Sequence, residues 1–351
     1  MTDHLPVFDD VLAAAARIAP HAHRTPVLRS RSLDALAGAE LHFKCENLQR
    51  TGAFKFRGAC NAVWSLDEAI APRGVVTHSS GNHGAALALA ARSRGIPAHV
   101  VVPEGAVLSK LAAIEAYGAV LHRCAPTIAA REAAAARVQA ETGATMVHPY
   151  TDPRVIAGQG TAALELLAEA GPLDALLAPL GGGGLACGTL LAARGTPVFG
   201  AEPAGAAETF ESLRQHRHVT DFTPDTVCDG LRGTVGEARL GVVASARRAV
   251  ACCRPAAASP SSIAANSQCT SPNRSHALRG NAWPRVTMPS MNVPFLLPRS
   301  LIRHWPASST SSACARDTDG WASTRSQSAP RPMRRRCPRS TQRVRAAASG
   351  G

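Results

Sequence analysis

Lys55 is the residue of this sequence whose type and surroundings best suit nucleophilic chemistry. It stands between Phe54 and Phe56, in a chain that contains only three lysines. An apolar setting lowers the pKa of an amine and favours the neutral form, which can form an imine with a carbonyl compound. A surface lysine at the start of a helix is the common alternative for such a segment taken alone.

A second segment, Ser79–Gly84, joins a strand-like run to a helix-like run. Small residues at such a junction leave backbone N–H groups and the positive end of a helix dipole available to an anion, such as a substrate carboxylate. The hydroxyl groups of Ser79 and Ser80 and the amide of Asn82 add side-chain hydrogen bonds. An ordinary capped turn is the alternative, and His83 by itself is more typical of a structural residue.

A third segment is a run of four glycines, Gly181, Gly182, Gly183 and Gly184, which follows an apolar run and opens a helix-like one. Four glycines let the backbone close around a phosphate at a helix N-terminus. The run matches neither the dinucleotide-binding fingerprint nor the P-loop, and a turn without a ligand is the alternative. Taken together, the three segments suit pyridoxal 5′-phosphate acting on an amino acid.

The elements that must position these segments alternate between strand-like and helix-like stretches from residue 7 to about residue 202. Strands that alternate with helices of about 10–15 residues indicate parallel sheets covered by helices on both faces, so the predicted fold class is α/β. Ser109 is the predicted N-cap of one helix. Strands are predicted at 74–77, 98–102, 119–122, 173–180 and 197–201, and helices at 84–92, 109–117, 128–141, 162–170 and 185–194.

The sequence also resembles the serine racemase / serine–threonine dehydratase family of fold-type II pyridoxal-phosphate enzymes, from about residue 7 to residue 240. The motifs that carry the resemblance lie at 44–49, 55–59, 79–84, 155–161, 181–185, 200–203 and 228–232. The resemblance implies a two-domain architecture similar to the β subunit of tryptophan synthase. The large domain would comprise 1–73 and 152–240, and the small domain 74–151.

The resemblance assigns roles to the first three segments. Lys55 would hold the cofactor and remove the α-proton of the substrate, Phe54 would pack beside the cofactor ring, and Asn82 would bind its 3-hydroxyl group. Ser80 would be the acid or base on the opposite face in members that racemise. The phosphate would be bound by Gly181, Gly182, Gly183, Gly184 and Leu185, and the substrate carboxylate by Ser79, Ser80, Asn82 and His83.

The resemblance further implies a divalent-cation site formed by Glu202, the carbonyl oxygen of Ala206, and Glu208. Oxygen ligands completed by water suit Mg²⁺ or Mn²⁺. Two solvated surface glutamates are the alternative interpretation of these residues.

The implied activity is the dehydration of L-serine or L-threonine to a 2-oxo acid and ammonia, by a homodimer. Serine racemisation is the alternative, because both reactions begin by removing the α-proton, and 3-hydroxyaspartate stays open as a substrate. Enzymes of β-replacement, such as cysteine synthase, fit less well. They tend to have Lys-Asp-Arg where this chain has Lys55, Phe56 and Arg57.

The net charge of +13 is unevenly distributed along the chain. Residues 241–351 contain 17 Arg, no Lys and two acids, a net charge of +15, whereas the first 240 residues have a net charge of −2. This tail is rich in Ser and Pro and poor in large apolar residues, so we expect it to be disordered. It lacks the family's final loop, which resembles Ser-Gly-Gly-Asn and would meet the pyridine nitrogen, and we find no other candidate for that contact.

We interpret the break near residues 240–245 as a change of reading frame. A parallel sheet without its last strands has an unpaired edge, so we expect the chain as written to be unstable or inactive. A catalytically impaired product whose tail, including Arg334, Arg335 and Arg336, binds nucleic acid nonspecifically is the alternative of a different class.

Composition also bears on partners and location. The near-neutral first 240 residues favour neither a specific nucleic acid nor a membrane as partner. A small hydroxy-amino-acid substrate is what the resemblance implies. The sequence has no run of 18 apolar residues, no basic leader segment, and no Cys-x-x-Cys pair before residue 240. We therefore expect a cytoplasmic protein.

Overall fold

The computed structural model describes residues 5–236, 240 and 250–253 of the chain. All of these residues belong to one compact unit. Most of the Arg- and Ser-rich tail, with our predictions of its disorder and of a changed reading frame, lies outside the described residues. None of the helices in the described part of the chain is both long and apolar enough to cross a membrane.

The amino-terminal part consists of helices and a short hairpin. Its elements are α1 (Phe8–Ile18), β1 (Val27–Leu28), α2 (Arg31–Ala37), β2 (Phe43–Lys44) and α3 (Lys55–Trp64), and β1 pairs antiparallel with β2. At the start of α1, the carboxylate of Asp10 accepts a hydrogen bond of 2.8 Å from the backbone N–H of Val7. In α3, every residue from Phe56 to Val63 is buried, so Lys55 begins a helix of the core.

The next part is a four-stranded parallel sheet with helices on both faces, which confirms the predicted α/β class. Its strands lie in the order β5-β4-β3-β6. Its elements are β3 (Val75–Thr77), α4 (Asn82–Arg94), β4 (Ala98–Pro103), α5 (Leu108–Ala116), β5 (Val120–Cys124), α6 (Ile128–Thr142) and β6 (Thr145–Met146). Val100 packs with residues of α4 and α5, and Val101 with residues of α6, because successive side chains of a strand point to opposite faces.

A second parallel sheet contains β7, β8 and β9 in that order. The elements are α7 (Pro153–Ala170), β7 (Leu176–Pro179), α8 (Gly184–Ala192), β8 (Val198–Pro203), α9 (Glu208–Gln215) and β9 (Val250–Cys253). Strand β9 pairs with β8 beyond residue 240, so this sheet continues past the position at which we place the start of the tail. Its four residues are too short a run to stand out from the composition on which that boundary rested. The division into a large and a small domain stays a prediction.

The glycines of the motif at 155–161 bring three helices close together. A Cβ atom on Gly158 of α7 would lie 2.7 Å from the carbonyl oxygen of Arg57 on α3. A Cβ atom on Gly160 would lie 2.7 Å from the carbonyl oxygen of Gly188 on α8. Because α3 begins with Lys55 and α8 begins in the glycine run, close packing at this motif positions both segments.

Candidate active site

Lys55 is the first residue of α3 and directly follows Phe54. Its Nζ donates a hydrogen bond of 3.0 Å to the carbonyl oxygen of Pro149 and lies 5.2 Å from the centroid of the Phe54 ring. Burial of the amine lowers the pKa of Lys55 from 10.5 to about 8, because a desolvated amine is less stable in its charged form. The lysine therefore has the lowered pKa that nucleophilic chemistry requires.

The Ser79–Gly84 turn lies at the carboxyl end of β3 and leads into α4, which begins at Asn82 and not at Gly84 as predicted. A Cβ atom on Gly84 would lie 2.1 Å from the carbonyl oxygen of Ser79, so glycine is required where the turn folds back on the helix. Ser79 and Ser80 are partly buried, and Asn82 is exposed. The first N–H groups of α4 have no partners within the helix, which is the geometry at which anions bind.

His83 connects this turn to the segment that follows β6. Its Nε2 donates a hydrogen bond of 3.3 Å to the carbonyl oxygen of Val147, two residues before the carbonyl that accepts from Lys55. The ring is buried, and its Nδ1 has no hydrogen-bond partner within the described ranges. Burial, and then the charge of Lys55, hold the pKa of His83 well below 6.5, so the ring is neutral. The segment 147–149 thus accepts hydrogen bonds from the side chains of both His83 and Lys55 through its carbonyl groups.

The glycine run connects β7 to α8. Gly183 has a φ of 85°, in the left-handed region that favours glycine. A Cβ atom on Gly182 would lie 2.4 Å from Cγ of Tyr150, so the tyrosine ring packs directly against the turn. Helix α8 begins at Gly184, followed by Leu185, and the N–H groups of its first turn suit a phosphate.

Three aromatic residues beside these segments were not predicted from the sequence. The rings of His78 and His148 meet edge to face with centroids 4.8 Å apart, and those of His148 and Tyr150 do so at 4.6 Å. The backbone N–H groups of Tyr150 and Thr151 donate to Nδ1 of His148, which leaves the ring proton on Nε2. His78 directly follows a predicted strand, and the carboxyl ends of parallel strands meet at one edge of the sheet, where ligands bind. Its position in the sequence could therefore have marked it as a residue of the site.

A buried ion network, also missed from the sequence, lies two residues further along α3. Nε of Arg57 is 2.8 Å from a carboxylate oxygen of Glu46, and its Nη1 is 2.7 Å from one of Glu165. Lys44 pairs with Glu165 at 2.7 Å. Burial alone would lower the pKa of Arg57, but its hydrogen bonds to the two glutamates outweigh burial and raise that pKa. The network connects α3 to α7 and to the segment after β2.

The two glutamates of the predicted cation site are buried: Glu202 on β8 is 1% exposed and Glu208 at the start of α9 is 3% exposed. The alternative of two solvated surface glutamates is therefore wrong. Burial raises the pKa of Glu202 to about 7, and the nearby charge of Glu208 adds to the effect. Backbone N–H groups of Thr209 and Phe210 donate to Glu202 at 3.3 and 2.9 Å.

Oε1 of Glu208 has no hydrogen-bond partner in the described part of the chain. Ala206, also buried, lies in a short 3-10 helix between the two glutamates. An orphaned carboxylate oxygen beside a second carboxylate fits a hard divalent cation. No cluster of three His, Cys, Asp or Glu side chains suited to a metal occurs within the described residues, so a third ligand from the protein would have to be a carbonyl oxygen.

Phe54 and Leu185, which the resemblance places at the cofactor, line a mainly apolar cavity of about 530 Å³ together with residues of β2 and β7. Lys55 and the Ser79–Gly84 turn do not line it. Among the strands that the structure describes, β7 pairs with β8 alone, so its other edge has no described partner strand. The cavity therefore adjoins two residues that the resemblance assigns to the cofactor, although Lys55 itself does not line it.

The residues present fit pyridoxal 5′-phosphate, since a lysine of lowered pKa accompanies a glycine turn at a helix N-terminus. The β-hydroxyaspartate dehydratase of Paracoccus denitrificans (strain Pd 1222) is 50% identical over 232 residues, which cover 65% of this chain and 74% of that protein. Serine racemase of Arabidopsis thaliana is 49% identical over 231 residues, covering 65% of this chain and 70% of that protein.

Solved structures show the same similarity. Maize serine racemase matches with a TM-score of 0.70 and 43% identity over 72% of this chain and 78% of that one. The T.th. threonine deaminase matches with a TM-score of 0.66 and 42% identity over 71% of this chain and 82% of that one. The family model described as pyridoxal-phosphate dependent enzyme matches residues 18–254, past the predicted boundary at 240. The chain therefore belongs to the pyridoxal-phosphate dependent enzymes and has the fold-type II architecture.

Proposed function

We propose that this chain is a dehydratase that uses pyridoxal phosphate to convert L-serine or L-threonine into a 2-oxo acid and ammonia. The observation that carries the proposal is Lys55, a desolvated amine whose hydrogen bond goes to a carbonyl group and not to an acid. The names of the similar proteins, a β-hydroxyaspartate dehydratase and serine racemases, support chemistry at the α-carbon of a small hydroxy-amino acid.

The cofactor and the residues of the site would act in different steps of this reaction. Bound pyridoxal phosphate supplies an electron sink for the negative charge that develops at the α-carbon. Lys55, as the neutral amine, accepts the α-proton, and the backbone N–H groups of the Ser79–Gly84 turn bind the substrate carboxylate. Asn82 binds the 3-hydroxyl group of the cofactor, and the glycine run binds its phosphate. Loss of water from the substrate and hydrolysis then give the 2-oxo acid and ammonia.

Racemisation is the alternative outcome, because it begins with the same proton transfer to Lys55. It needs an acid on the opposite face, and Ser80, partly buried in the same turn, is the candidate. We expect Ser80→Ala to abolish D-serine formation from L-serine while pyruvate formation continues. The exposed Ser93 of α4 provides the matched control, Ser93→Ala. Unchanged D-serine formation in Ser80→Ala would contradict this role.

A substrate with a second carboxylate, such as 3-hydroxyaspartate, is favoured by Arg131 in the first turn of α6. Its Nε is buried without a hydrogen-bond partner within the described ranges. Burial is the main cause of the lowered pKa of His78, and the charge of Arg131 adds to it while that of Glu132 opposes it. We expect Arg131→Gln to reduce kcat/KM for 3-hydroxyaspartate by about tenfold or more relative to that for L-serine. Equal losses for both substrates would exclude this contribution to specificity.

We also propose that Glu202, the carbonyl oxygen of Ala206, and Glu208 bind Mg²⁺ or Mn²⁺. Adding either cation should raise the Tm of the chain, and Glu208→Gln should remove that increase. Glu115→Gln, at an exposed position of α5, is the matched control. A cation-dependent increase that persists in Glu208→Gln would place the cation elsewhere.

The direct test is an assay of the chain loaded with pyridoxal phosphate, for visible absorbance of the bound cofactor and for release of pyruvate from L-serine or 2-oxobutanoate from L-threonine. Because we expect the chain as written to be impaired, the same chain with its reading frame restored after residue 240 is the comparison. Turnover in at least the restored chain supports the proposal. Absence of cofactor binding and turnover in both chains contradicts it. The dimer and the cytoplasmic location stay predictions.

A further inference from the structure

A pair of histidines lies on the four-stranded sheet, apart from the residues discussed above. His99 is the second residue of β4, His122 is the third residue of β5, and Nδ1 of His99 is 3.1 Å from Nε2 of His122. In the register of the two parallel strands, His122 stands opposite Val101, two residues after His99. Residues two apart on a strand share a face, so both histidines point to the same side of the sheet.

That side is the one covered by α6, because Val101 packs with Ala134 and Val138 of that helix. His99 lies near the amino-terminal end of β4, whereas the Ser79–Gly84 turn follows the carboxyl end of the parallel strand β3. The histidine pair therefore lies toward the opposite edge of the sheet from the substrate site. Both rings are partly buried, which leaves part of each accessible to solvent.

The separation of the two ring nitrogens is the one at which imidazoles share a metal ion. With metal–nitrogen distances of 2.0–2.1 Å, two nitrogens lie about 2.9 Å apart at a right angle and about 3.3 Å apart at a tetrahedral angle. The observed 3.1 Å falls between these values. The ring centroids are 5.3 Å apart and the planes tilted by 43°, so both rings would have to rotate for their lone pairs to point at one ion.

The protonation of the pair suits metal binding. Burial lowers the pKa of both histidines, and the neighbouring ring lowers that of His99 further. Glu141 in the last turn of α6 raises the pKa of His122, and Arg137 lowers it. Neutral imidazoles are the form that coordinates metals. The negative charge of Glu141 near His122 is offset by Arg137, with which Glu141 forms an exposed ion pair.

We propose that His99 and His122 form a site for a divalent first-row transition-metal ion of the Ni²⁺, Cu²⁺ or Zn²⁺ class. The ring that now donates the shared hydrogen bond would transfer its proton to its outer nitrogen, and each histidine would supply one lone pair. Water would complete the coordination, because no larger cluster of metal-binding side chains occurs within the described residues. Such a two-ligand site binds reversibly and connects β4 to the edge strand β5.

The test is calorimetric titration of the full chain with Ni²⁺, with thiols kept reduced and Mg²⁺ in excess to occupy the carboxylate site. We expect one saturable site whose affinity falls about tenfold or more in His99→Gln and in His122→Gln, a loss of roughly 1.4 kcal/mol or more. The control is His216→Asn, at an exposed histidine with φ of 52°, a conformation that Asn tolerates. It should keep the parent affinity.

Equal Ni²⁺ affinity in the parent and in both pair variants would overturn the proposal, as would the absence of saturable binding to the parent. If either variant fails to fold, nuclear magnetic resonance of the parent decides. Paramagnetic Ni²⁺ should broaden the imidazole proton signals of His99 and His122 before those of the other histidines. Broadening that begins at other histidines would also overturn the proposal.

Discussion

Two cations stand two residues apart on α3 in opposite surroundings. Arg57 is fully buried and contacts the carboxylates of Glu46 and Glu165. Lys55 donates to the carbonyl of Pro149, and no ion pair joins it to an acid within the described ranges. As a result the pKa of Arg57 is raised, while that of Lys55 is lowered to about 8.

This difference separates a cation that stabilises the fold from one that is kept reactive. Breaking a buried ion network is costly, because each remaining charge loses its partner in a poorly solvated place. An amine without a carboxylate partner is easily deprotonated and can act as nucleophile and base. Since both residues belong to α3, the ion network around Arg57 also fixes the position of the first turn of this helix, where Lys55 lies.

The largest expected effect is on catalysis. In the chain with its reading frame restored after residue 240, Lys55→Met should reduce turnover of the cofactor-loaded enzyme by about 10²–10⁴-fold or more, because the α-proton loses its acceptor. Lys110→Met, at an exposed lysine that pairs with Asp229, is the matched control and should retain most of the parent rate. Turnover is measured as pyruvate released from L-serine. If the Lys55→Met enzyme kept near-parent turnover, Lys55 would not be the reactive residue of α3.

The next effect is on stability. Arg57→Met should lower the free energy of unfolding by about 3 kcal/mol, because the partly buried carboxylate of Glu46 would lose its ion pair and that of Glu165 would keep only Lys44. Denaturant unfolding measures the loss, and Glu165→Gln added to Arg57→Met should recover part of it. Arg137→Met, which breaks only the exposed pair with Glu141, should cost less than about 1 kcal/mol. An equally small effect at Arg57 would show that the network does not stabilise the fold.

The smallest expected effect is also on stability, but here the substitution should raise the free energy of unfolding. Lys55→Met should stabilise the cofactor-free chain at pH 7 by about 1 kcal/mol, because it removes a desolvated charge that lacks an acid partner. The pKa of Lys55 is lower in the folded chain, about 8, than the usual 10.5, so the unfolded state binds more protons between these values. Stability of the parent relative to Lys55→Met should therefore rise from pH 8 to pH 10.5.

Unfolding curves of the parent and of Lys55→Met at several pH values give this difference directly. The difference in stability between the parent and Arg57→Met should show no comparable pH dependence in the same range, because Arg57 stays charged throughout and both chains contain Lys55. A parent chain that is more stable than Lys55→Met at pH 7 would mean that Lys55 has a stabilising partner after all.

Local sequence signals predicted many elements well. Helix α6, expected at 128–141, runs from Ile128 to Thr142, and its N-cap Thr127 accepts a hydrogen bond from the N–H of Ala130. The N-cap prediction for Ser109 was wrong, because α5 begins at Leu108 after Val107, which makes no side-chain cap. Element type therefore follows from composition and periodicity, whereas a helix start depends on a single local contact.

Helix α7 shows a signal that was present and not used. Only 162–170 was predicted as helix, but α7 begins at Pro153. The carboxylate of Asp152 accepts a hydrogen bond from the N–H of Arg154, so Asp-Pro marks an N-cap followed by a proline at the first helical position. Residues 155–161 were noted only as a motif that carries the resemblance, and the structure shows that their glycines serve the packing of α7 on α3 and α8.

The features of the candidate site also fall into two groups: those that adjacent residues indicate, and those that depend on contacts between distant parts of the chain. The aromatic neighbours of Lys55 and the small residues of Ser79–Gly84 are adjacent in sequence, so their chemistry could be predicted. The contacts of Arg57 with Glu165, and of Tyr150 with Gly182, join residues that are far apart in the chain. Such contacts depend on how helices and sheets pack, and no local pattern marks them.

The most direct test of the central assignment uses the fact that the chain has only three lysines. The chain loaded with pyridoxal phosphate is reduced with borohydride, digested, and examined by mass spectrometry for the lysine that carries the pyridoxyl group. We expect the group on Lys55, whose pKa is lowered, and not on Lys44 or Lys110, which form ion pairs with Glu165 and Asp229. Labelling of Lys44 or Lys110 in place of Lys55 would contradict the assignment.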